Sequence, residues 1–255
     1  VQKAFDKIVN KMPFDGSFSE IVTFVDGLTG FEKYVYDQFP ARSGYLAFSG
    51  SSSPDSPGTF IEVKDFKGST TPTLSKNPTG EGILNPGNSP FTLEFHFSAP
   101  ALANENQIVF QKKSSSDDGI TLYLEQSSNT DTANLVLAVT SGSEGLSTSM
   151  EVQKGDFQHI AAVFDKSSGP GQLVLYKNAI LEASSSFAAI GSIDFTTSPL
   201  YIGSGSSHTV GGTTMTPVET LSGAIDDLRF WHKRKTQKEI RKQQFQEVFA
   251  QKNLK

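Results

Sequence analysis

Hydrophobic and polar residues alternate along much of the chain from Phe91 onward. Between Phe91 and Phe97 every odd position is Phe or Leu and every even position is polar, which is the pattern of a strand with one buried face. Further segments of this kind lie at 107–112, 119–125, 134–140, 147–152, 157–165 and 172–177. Short strands that follow one another without intervening helices indicate an antiparallel β-sandwich rather than a parallel α/β sheet.

A last strand is predicted between Gly223 and Trp231. Strict alternation places side chains on two faces, with Asp226, Leu228 and Phe230 on one and Ile225, Asp227, Arg229 and Trp231 on the other. Asp226 is then expected to be a buried, structural acid that accepts hydrogen bonds from neighbouring backbone amides.

Two short strands, at 45–49 and 59–63, precede this array. A polar turn separates them, so we expect them to pair as an opening hairpin. Residues 64–90 are rich in Pro and Gly and lack periodicity, which predicts a long surface loop.

Helical patterns are predicted at both ends of the chain. Residues 1–12 carry one apolar stripe, and an isolated helix of that length is marginal in water, so it needs a partner to pack on. Near the other end, Thr236 and Glu239 form a capping-box pattern ahead of an apolar and basic segment. We therefore expect three parts: a helical tether at 1–43, a sandwich at 44–235 and a basic helix at 236–255. Both ends are expected to pack on protein, either the sandwich flank, each other, a second copy or a neighbouring subunit.

The ordered set of strand motifs resembles the laminin-G-like, or concanavalin-A-like, jelly-roll family. Quoted in chain order, the matching motifs are Phe-Thr-Leu-Glu-Phe-His-Phe at 91–97, Ile-Val-Phe-Gln-Lys at 108–112, Gly-Ile-Thr-Leu-Tyr-Leu at 119–124, the 156–165 strand, Gln-Leu-Val-Leu-Tyr-Lys-Asn at 172–178, Leu-Tyr-Ile-Gly at 200–203 and the 223–231 strand. Phe157 stands where the family usually has Trp, and Asn178-Ala179 stands where it has Asp-Gly. The resemblance covers about residues 44–245 and implies an all-β, antiparallel jelly-roll sandwich with short helical segments at the ends.

Composition narrows the picture only in part. The chain has no Cys, so it can hold neither a disulfide nor a thiolate metal site, and it has no apolar run long enough to span a membrane. Its net charge is -5, but residues 232–255 contain eight Lys or Arg and two Glu. Such a basic end is usually a solvated helix face, with an anionic partner as the alternative, and no nucleic-acid partner is predicted.

Catalytic patterns are not found in the sequence. A glycosidase needs two carboxylates about 5 to 9 Å apart, and no strand carries acids at i and i+2 or i+4 on one face. His159 is read as a packing residue, and no Ser or Cys nucleophile stands beside a His. The chain is therefore expected not to be an enzyme. The open alternative is a polysaccharide-active glucanase or lyase on the same fold.

Two pairs of residues are candidates for ligand or metal binding. Glu94 and His96 lie on the polar face of the first long strand and could form a ligand surface, although a solvated position for His96 is the simpler reading. Asp117 and Asp118 precede a strand, and because many domains of this family hold one Ca²⁺ at a sandwich rim, they are calcium candidates. No cofactor is required by the pattern.

The expected function is therefore that of a non-catalytic structural or adhesive module that binds a glycan or a protein surface. The expected setting is a larger surface protein or a virion or phage structural protein, hence an extracellular, cell-surface or virion location. It is expected to be a homo-oligomer or to contact a neighbouring subunit. A purely spacing scaffold module remains a further alternative.

Overall fold

Fourteen β-strands and one short helix make up the described part of this computed structural model. The structure describes residues 45–51, 58–64, 84–100, 106–114, 118–166, 171–187, 190–193 and 198–245. The elements are β1 (Leu46–Ala47), β2 (Ile61–Val63), β3 (Phe91–Ser98), β4 (Gln107–Lys113), β5 (Gly119–Gln126), β6 (Thr132–Ser141), β7 (Glu144–Gln153), β8 (Phe157–Asp165), β9 (Gly171–Lys177), β10 (Ile180–Phe187), β11 (Leu200–Ile202), β12 (His208–Val210), β13 (Thr213–Met215), β14 (Ala224–Trp231) and α1 (Gln237–Gln243).

The strands form two six-stranded sheets and a separate two-stranded hairpin. Sheet I has the order β1-β14-β3-β8-β9-β10, sheet II has the order β2-β11-β4-β5-β6-β7, and β12 pairs only with β13. Every pairing between named strands is antiparallel. The all-β antiparallel sandwich expected from the alternation is confirmed.

The main hydrophobic core lies between the two sheets because each strand turns its alternate apolar residues inward. From sheet I it takes Phe91, Leu93, Phe95 and Phe97, each at most 1% exposed. Sheet II supplies a facing Leu-rich layer from β5 and β6. The predicted aromatic core face of the first long strand is confirmed.

All the predicted central strands are present, but two structural features were not singled out from the sequence. One is β10, which pairs with β9 across a two-residue turn in which Asn178 and Ala179 have φ values of 51° and 59°. That backbone matches a type I′ turn, which normally favours Asn-Gly, so Ala179 is the unusual residue. The other is the β12–β13 hairpin, whose strands are only three residues long.

The predicted opening hairpin is wrong. β1 pairs with β14 in sheet I, whereas β2 pairs with β11 in sheet II. The two strands therefore belong to opposite layers of the sandwich. Proximity in sequence suggested a hairpin, but each strand completes a sheet edge whose partner lies far along the chain.

The predicted facing of β14 is also wrong in its first half. Ile225, Leu228 and Phe230 all pack on the main core. A β-bulge between Asp226 and Arg229 inserts one extra residue, and Asp227 there has φ of 53°. An inserted residue reverses the alternation, so Ile225 shares a face with residues that strict alternation placed opposite. Asp226 is half-buried, and its carboxylate accepts a 2.8 Å hydrogen bond from the amide of Asp227.

The C-terminal helix has the predicted cap. The amide of Glu239 donates to Thr236 Oγ1 at 3.3 Å, and the amide of Thr236 donates to the Glu239 carboxylate at 2.8 Å. The hydrogen bond from the Thr236 amide, together with one from the Lys233 side chain, lowers the pKa of Glu239 to about 2. Residues Gly44–Gln244 form one compact unit. The predicted helical tether at 1–43, with its stripe at 1–12, and the predicted helix beyond Phe245 lie outside the described residues.

Candidate functional site: a groove on the outer face of sheet II

A groove of about 370 Å³ lies on the outer face of sheet II, between strands β5 to β7 and the β12–β13 hairpin. Its floor follows from strand alternation, because β5 turns Leu122 and Leu124 into the core and leaves Tyr123 and Glu125 outside. The strand register places Tyr123 beside Val136, and Val136 beside Ser149. The floor therefore has an apolar strip with polar groups at its ends.

The β12–β13 hairpin forms one wall of the groove. Val210 and Met215 of the hairpin pack on a small cluster that includes Tyr123 and Val136. His208 anchors the hairpin at its base: it is buried, and its Nε2 lies 2.8 Å from Thr140 Oγ1 on β6. Since an isolated two-stranded hairpin is marginal in water, this packing is what holds the wall in place.

Gly145 on β7 lets the hairpin approach the sheet. A Cβ at this position would lie 2.9 Å from a methyl carbon of Val210 and 3.1 Å from the amide nitrogen of Gly211. Any larger residue would push the hairpin outward. The groove therefore depends on a residue without a side chain at this crossing.

The polar groups of the groove are mainly hydroxyls and one carboxylate. Burial raises the pKa of Tyr123, and the neighbouring carboxylate of Glu125 raises it further. Ser147, Ser149 and Thr214 are exposed along the rim. None of the described residues that line the groove is Lys or Arg. The arrangement can donate and accept hydrogen bonds and can accept from cationic or neutral donors.

A row of polar residues crosses the outer face of sheet II beside the groove. Glu125 pairs in register with Asn134, and Asn134 with Glu151. Neighbouring strands are about 4.8 Å apart, so the two Glu backbones are about 10 Å apart. The sequence pattern of two acids on one strand does not detect this row, because its members come from three different strands. The groove's hairpin had a local signal, Gly211-Gly212 between β-branched residues, which is typical of a type I′ turn.

Glu94 and His96, the sequence candidates for a ligand surface, lie on the outer face of sheet I and are buried. Glu94 is 0% and His96 is 6% exposed, so the solvated position expected for His96 is wrong. Glu94 is covered by the C-terminal segment, residues 232–244, which includes α1, whereas His96 lies beside Asp227 and His159. Lys235 N and Lys233 O both hydrogen-bond to Thr92 Oγ1 on β3, at 3.0 and 2.8 Å. A ligand-binding role for Glu94 and His96 stays a prediction. Binding of a ligand to Glu94 would require the C-terminal segment to move.

Glu94 is held by two basic side chains beneath the C-terminal segment. Lys235 Nζ, on a residue 1% exposed, donates to Glu94 Oε2 at 2.6 Å and also contacts Gln243 Oε1. His159 Nε2 lies 3.4 Å from Glu94 Oε1. Burial acts to raise the pKa of Glu94, but the hydrogen bonds and charges of His159 and Lys235 outweigh it and hold that pKa below its usual range. The buried position and polar contact of His159 agree with its structural reading.

The ammonium group of Lys235 also lies over an aromatic ring. Its Nζ is 3.6 Å from the ring centroid of Trp231, which gives the buried charge a second favourable contact. Ile240 of α1 is 0% exposed and joins an apolar cluster with Ala161, Val163 and Val174 on the outer face of sheet I. The ion pair, the contact with the Trp231 ring and the apolar cluster on sheet I therefore hold the C-terminal segment in place.

The calcium candidates are only partly described. Asp117 lies outside the described residues, and the Asp118 carboxylate accepts a hydrogen bond from the amide of Gly142. No group of three or more His, Asp or Glu residues is arranged to hold a metal ion in the part of the chain that the structure describes. Calcium at Asp117 and Asp118 stays a prediction. No described helix has the length and apolar character needed to cross a lipid bilayer.

Comparison with known proteins gives a family match and a set of similar folds. A family model described as the concanavalin A-like lectin/glucanases superfamily matches residues 71–241. The binding domain of botulinum neurotoxin serotype D/C VPI 5993 is 12% identical with a TM-score of 0.54, and the alignment covers 79% of this chain and 43% of that one. No curated protein matches the chain by sequence.

Two further structures are similar at lower scores. Domains LG4-5 of the mouse laminin α1 chain are 11% identical with a TM-score of 0.48, over 78% of this chain and 45% of that one. The CBM40 of the Ruminococcus gnavus IT-sialidase, bound to α2,3 sialyllactose, is 15% identical with a TM-score of 0.49, over 77% and 94%. At these identities the similarity is one of fold.

Proposed function

The chain belongs to the concanavalin A-like lectin/glucanases superfamily, and from that premise we propose that it is a non-catalytic glycan-binding module. The observation that carries the proposal is the groove on sheet II. Its volume of about 370 Å³ falls at the small end of the range for ligand pockets, about 300 to 1,000 Å³. A groove of that size suits a short saccharide better than the surface of a folded protein.

The lining of the groove matches the two-sided chemistry of a sugar. A pyranose presents hydroxyl groups at its edge and C–H groups on its faces. Ser149 and Glu125 offer hydrogen-bonding groups, while Tyr123, Val136 and Met215, each at most 8% exposed, add a narrow apolar strip. The exposed lining is mostly polar, which suits the hydroxyl-rich edge of a sugar.

The test blocks the groove and measures glycan binding by the full chain. Ser149→Trp places a large side chain on the exposed rim, so we expect it to abolish binding to any saccharide that the unmodified chain retains on a glycan array. Ser184→Trp, on exposed β10 of sheet I, is the matched control and should leave binding unchanged. Undiminished binding by Ser149→Trp would exclude the groove, and no binding of any saccharide would leave a spacing scaffold as the better account.

A polysaccharide-active enzyme is the second candidate, favoured by one observation. Glu125 and Glu151 face out of sheet II in one row, about 10 Å apart at the backbone, and inverting glycosidases hold their carboxyl groups about 6.5 to 9.5 Å apart. We propose that the pair is not catalytic, because Glu125 is among the described residues that line the groove and Glu151 is not. Release of reducing ends from β-glucans, alginates or pectins, lost in Glu125→Gln, would overturn this.

We further propose the setting expected from the sequence. A glycan-binding module of this kind fits an extracellular, cell-surface or virion location, within a larger surface or virion structural protein. Contact with a second copy or a neighbouring subunit belongs to the same proposal. Measurement of the solution mass of the full chain tests it, and a monomer at all concentrations would oppose it.

A further inference from the structure

We propose that the groove on sheet II selects neutral saccharides against anionic ones, and that Glu125 sets this selectivity. The inference rests on the glycan-binding function proposed above and adds the chemical class of the ligand. It is carried by the charges around the groove and by the position of Glu125 within it.

The fixed charge of the groove is negative. Glu125 lines it, none of its described lining residues is Lys or Arg, and Glu151 stands two strands away in the same outward row. His208, which could carry positive charge, is buried with its Nε2 on Thr140 Oγ1. A sialic acid, sulfate or uronate in the groove would therefore meet a carboxylate that no Lys or Arg among the described lining residues offsets.

Several described basic residues pair with acids on sheet I, the layer opposite the groove. Eight of the Lys and Arg residues lie between His232 and Lys255. Of these, Lys235 is buried against Glu94, Arg234 binds Asp165 at 2.5 Å and Lys233 binds Glu239 at 2.9 Å, all within or beneath the C-terminal segment on sheet I. These three cations lie on sheet I and the groove on sheet II, and at physiological ionic strength charges are screened over about 8 Å.

Glu125 has the chemistry to recognise a neutral sugar. Its carboxylate lines the groove together with Tyr123, and a carboxylate has two oxygens with about four acceptor sites. These sites can accept from sugar hydroxyls. Hydrogen bonds to an ionised acceptor are about twice as strong as those between neutral groups. The same negative charge therefore attracts hydroxyl donors and repels anionic substituents.

The experiment compares matched neutral and anionic saccharides by isothermal titration calorimetry with the full chain. The probes are uncharged di- to hexasaccharides of glucose, galactose, mannose and N-acetylglucosamine, each beside its sulfated, sialylated or uronic counterpart. We expect neutral probes to bind at least about tenfold more tightly than their counterparts. Glu125→Gln keeps the shape of the side chain, and it should weaken neutral binding about tenfold and narrow the difference.

Two controls make each outcome decisive. Glu182→Gln removes an exposed carboxylate on β10 and should change neither affinity nor preference. Melting temperatures of both variants establish that they are folded. Equal or tighter binding of the anionic counterparts, or no effect of Glu125→Gln where Ser149→Trp abolishes binding, would overturn the selectivity while leaving glycan binding intact. Failure of every saccharide to bind, or retention of a peptide instead, would overturn the glycan-binding function and this inference with it.

Discussion

The outer face of sheet I is covered and the outer face of sheet II carries an exposed groove, although inward and outward side chains alternate in the same way along the strands of both sheets. On sheet I, the outward residues Thr92 and Glu94 are buried under the C-terminal segment, and His96 is buried beside Asp227 and His159. On sheet II, Ser147 and Ser149 face outward and remain exposed beside a groove. A polar outward residue thus becomes structural where another part of the chain covers it, and available to a ligand where nothing described does.

The two faces also differ in how charge is handled. The C-terminal segment brings Lys235 to Glu94, which also lies beside His159, and hydrogen bonds and the Trp231 ring compensate Lys235 for lost hydration. On sheet II, Glu125 keeps contact with the groove and therefore with water or a ligand. We expect substitutions on sheet I to change stability and substitutions on sheet II to change binding.

The largest effect is expected from breaking the buried ion pair. Lys235→Met leaves the Glu94 carboxylate without its ammonium partner, so the free energy of unfolding should fall by about 3 to 5 kcal/mol. Chemical denaturation measures it. Lys233→Met, which breaks the exposed pair with Glu239, is the control and should cost at most about 1 kcal/mol. Similar costs for both variants would mean that Glu94 is not buried by the C-terminal segment.

A comparable but purely apolar effect is expected at α1. Ile240→Ala removes the helix residue that packs on the outer face of sheet I, and the expected cost is about 2 to 5 kcal/mol. Lys242→Ala, exposed on the same helix, should be close to neutral. A loss below about 1 kcal/mol for Ile240→Ala would show that the cover does not contribute to folding.

Calcium binding at the rim of sheet II would raise the stability of the chain. If Asp117 and Asp118 bind it in the folded state only, calcium at about 100 times its Kd should stabilise the chain by about 2.7 kcal/mol. Thermal melts in excess calcium and in chelator measure this, and Asp118→Asn should remove the difference. Identical melts of the unmodified chain would dismiss the site.

Acid should weaken the covered face. Because the pKa of Glu94 is lower in the folded than in the unfolded state, its contribution is complete above the unfolded value of about 4.3 and is lost as pH falls through the folded value. Unfolding free energies between pH 7 and 2 should therefore decline more steeply in the unmodified chain than in Glu94→Gln. The Glu94→Gln variant retains the basic side chains of His159, Lys235 and Arg229, so the difference in slope reports on the Glu94 carboxyl group. Glu182→Gln serves as the control. Equal slopes in Glu94→Gln and the unmodified chain would contradict the prediction.

The smallest effect on stability is expected in the groove. Ser149→Ala changes an exposed hydroxyl, so the free energy of unfolding should stay within about 0.5 kcal/mol of its original value. Its effect should appear instead in saccharide affinity. A large loss of stability would show that the outer face of sheet II is also structural and that the contrast between the two faces does not hold.

Much of the sandwich could be read from local sequence. The Phe-rich alternation at 91–97 predicted both a strand and its buried face, because the two-residue period of a strand is set by backbone geometry alone. The capping box at Thr236 and Glu239 was predicted for the same reason, since both partners lie within one helical turn. The family resemblance likewise came from the order of such local motifs.

The surfaces were decided by contacts between distant parts of the chain. The bulge at Asp227 reversed the facing of β14, and β1 and β2 found partners in different sheets. Glu94 and His96 have the sequence pattern of exposed residues, yet Lys235, about 140 positions away, buries Glu94. Conversely, Tyr123, Glu125 and the 208–215 hairpin form the groove only once strand register and packing bring them together. Alternation determines which side chains point away from the core, but it contains no information about what covers them, because that depends on long-range packing.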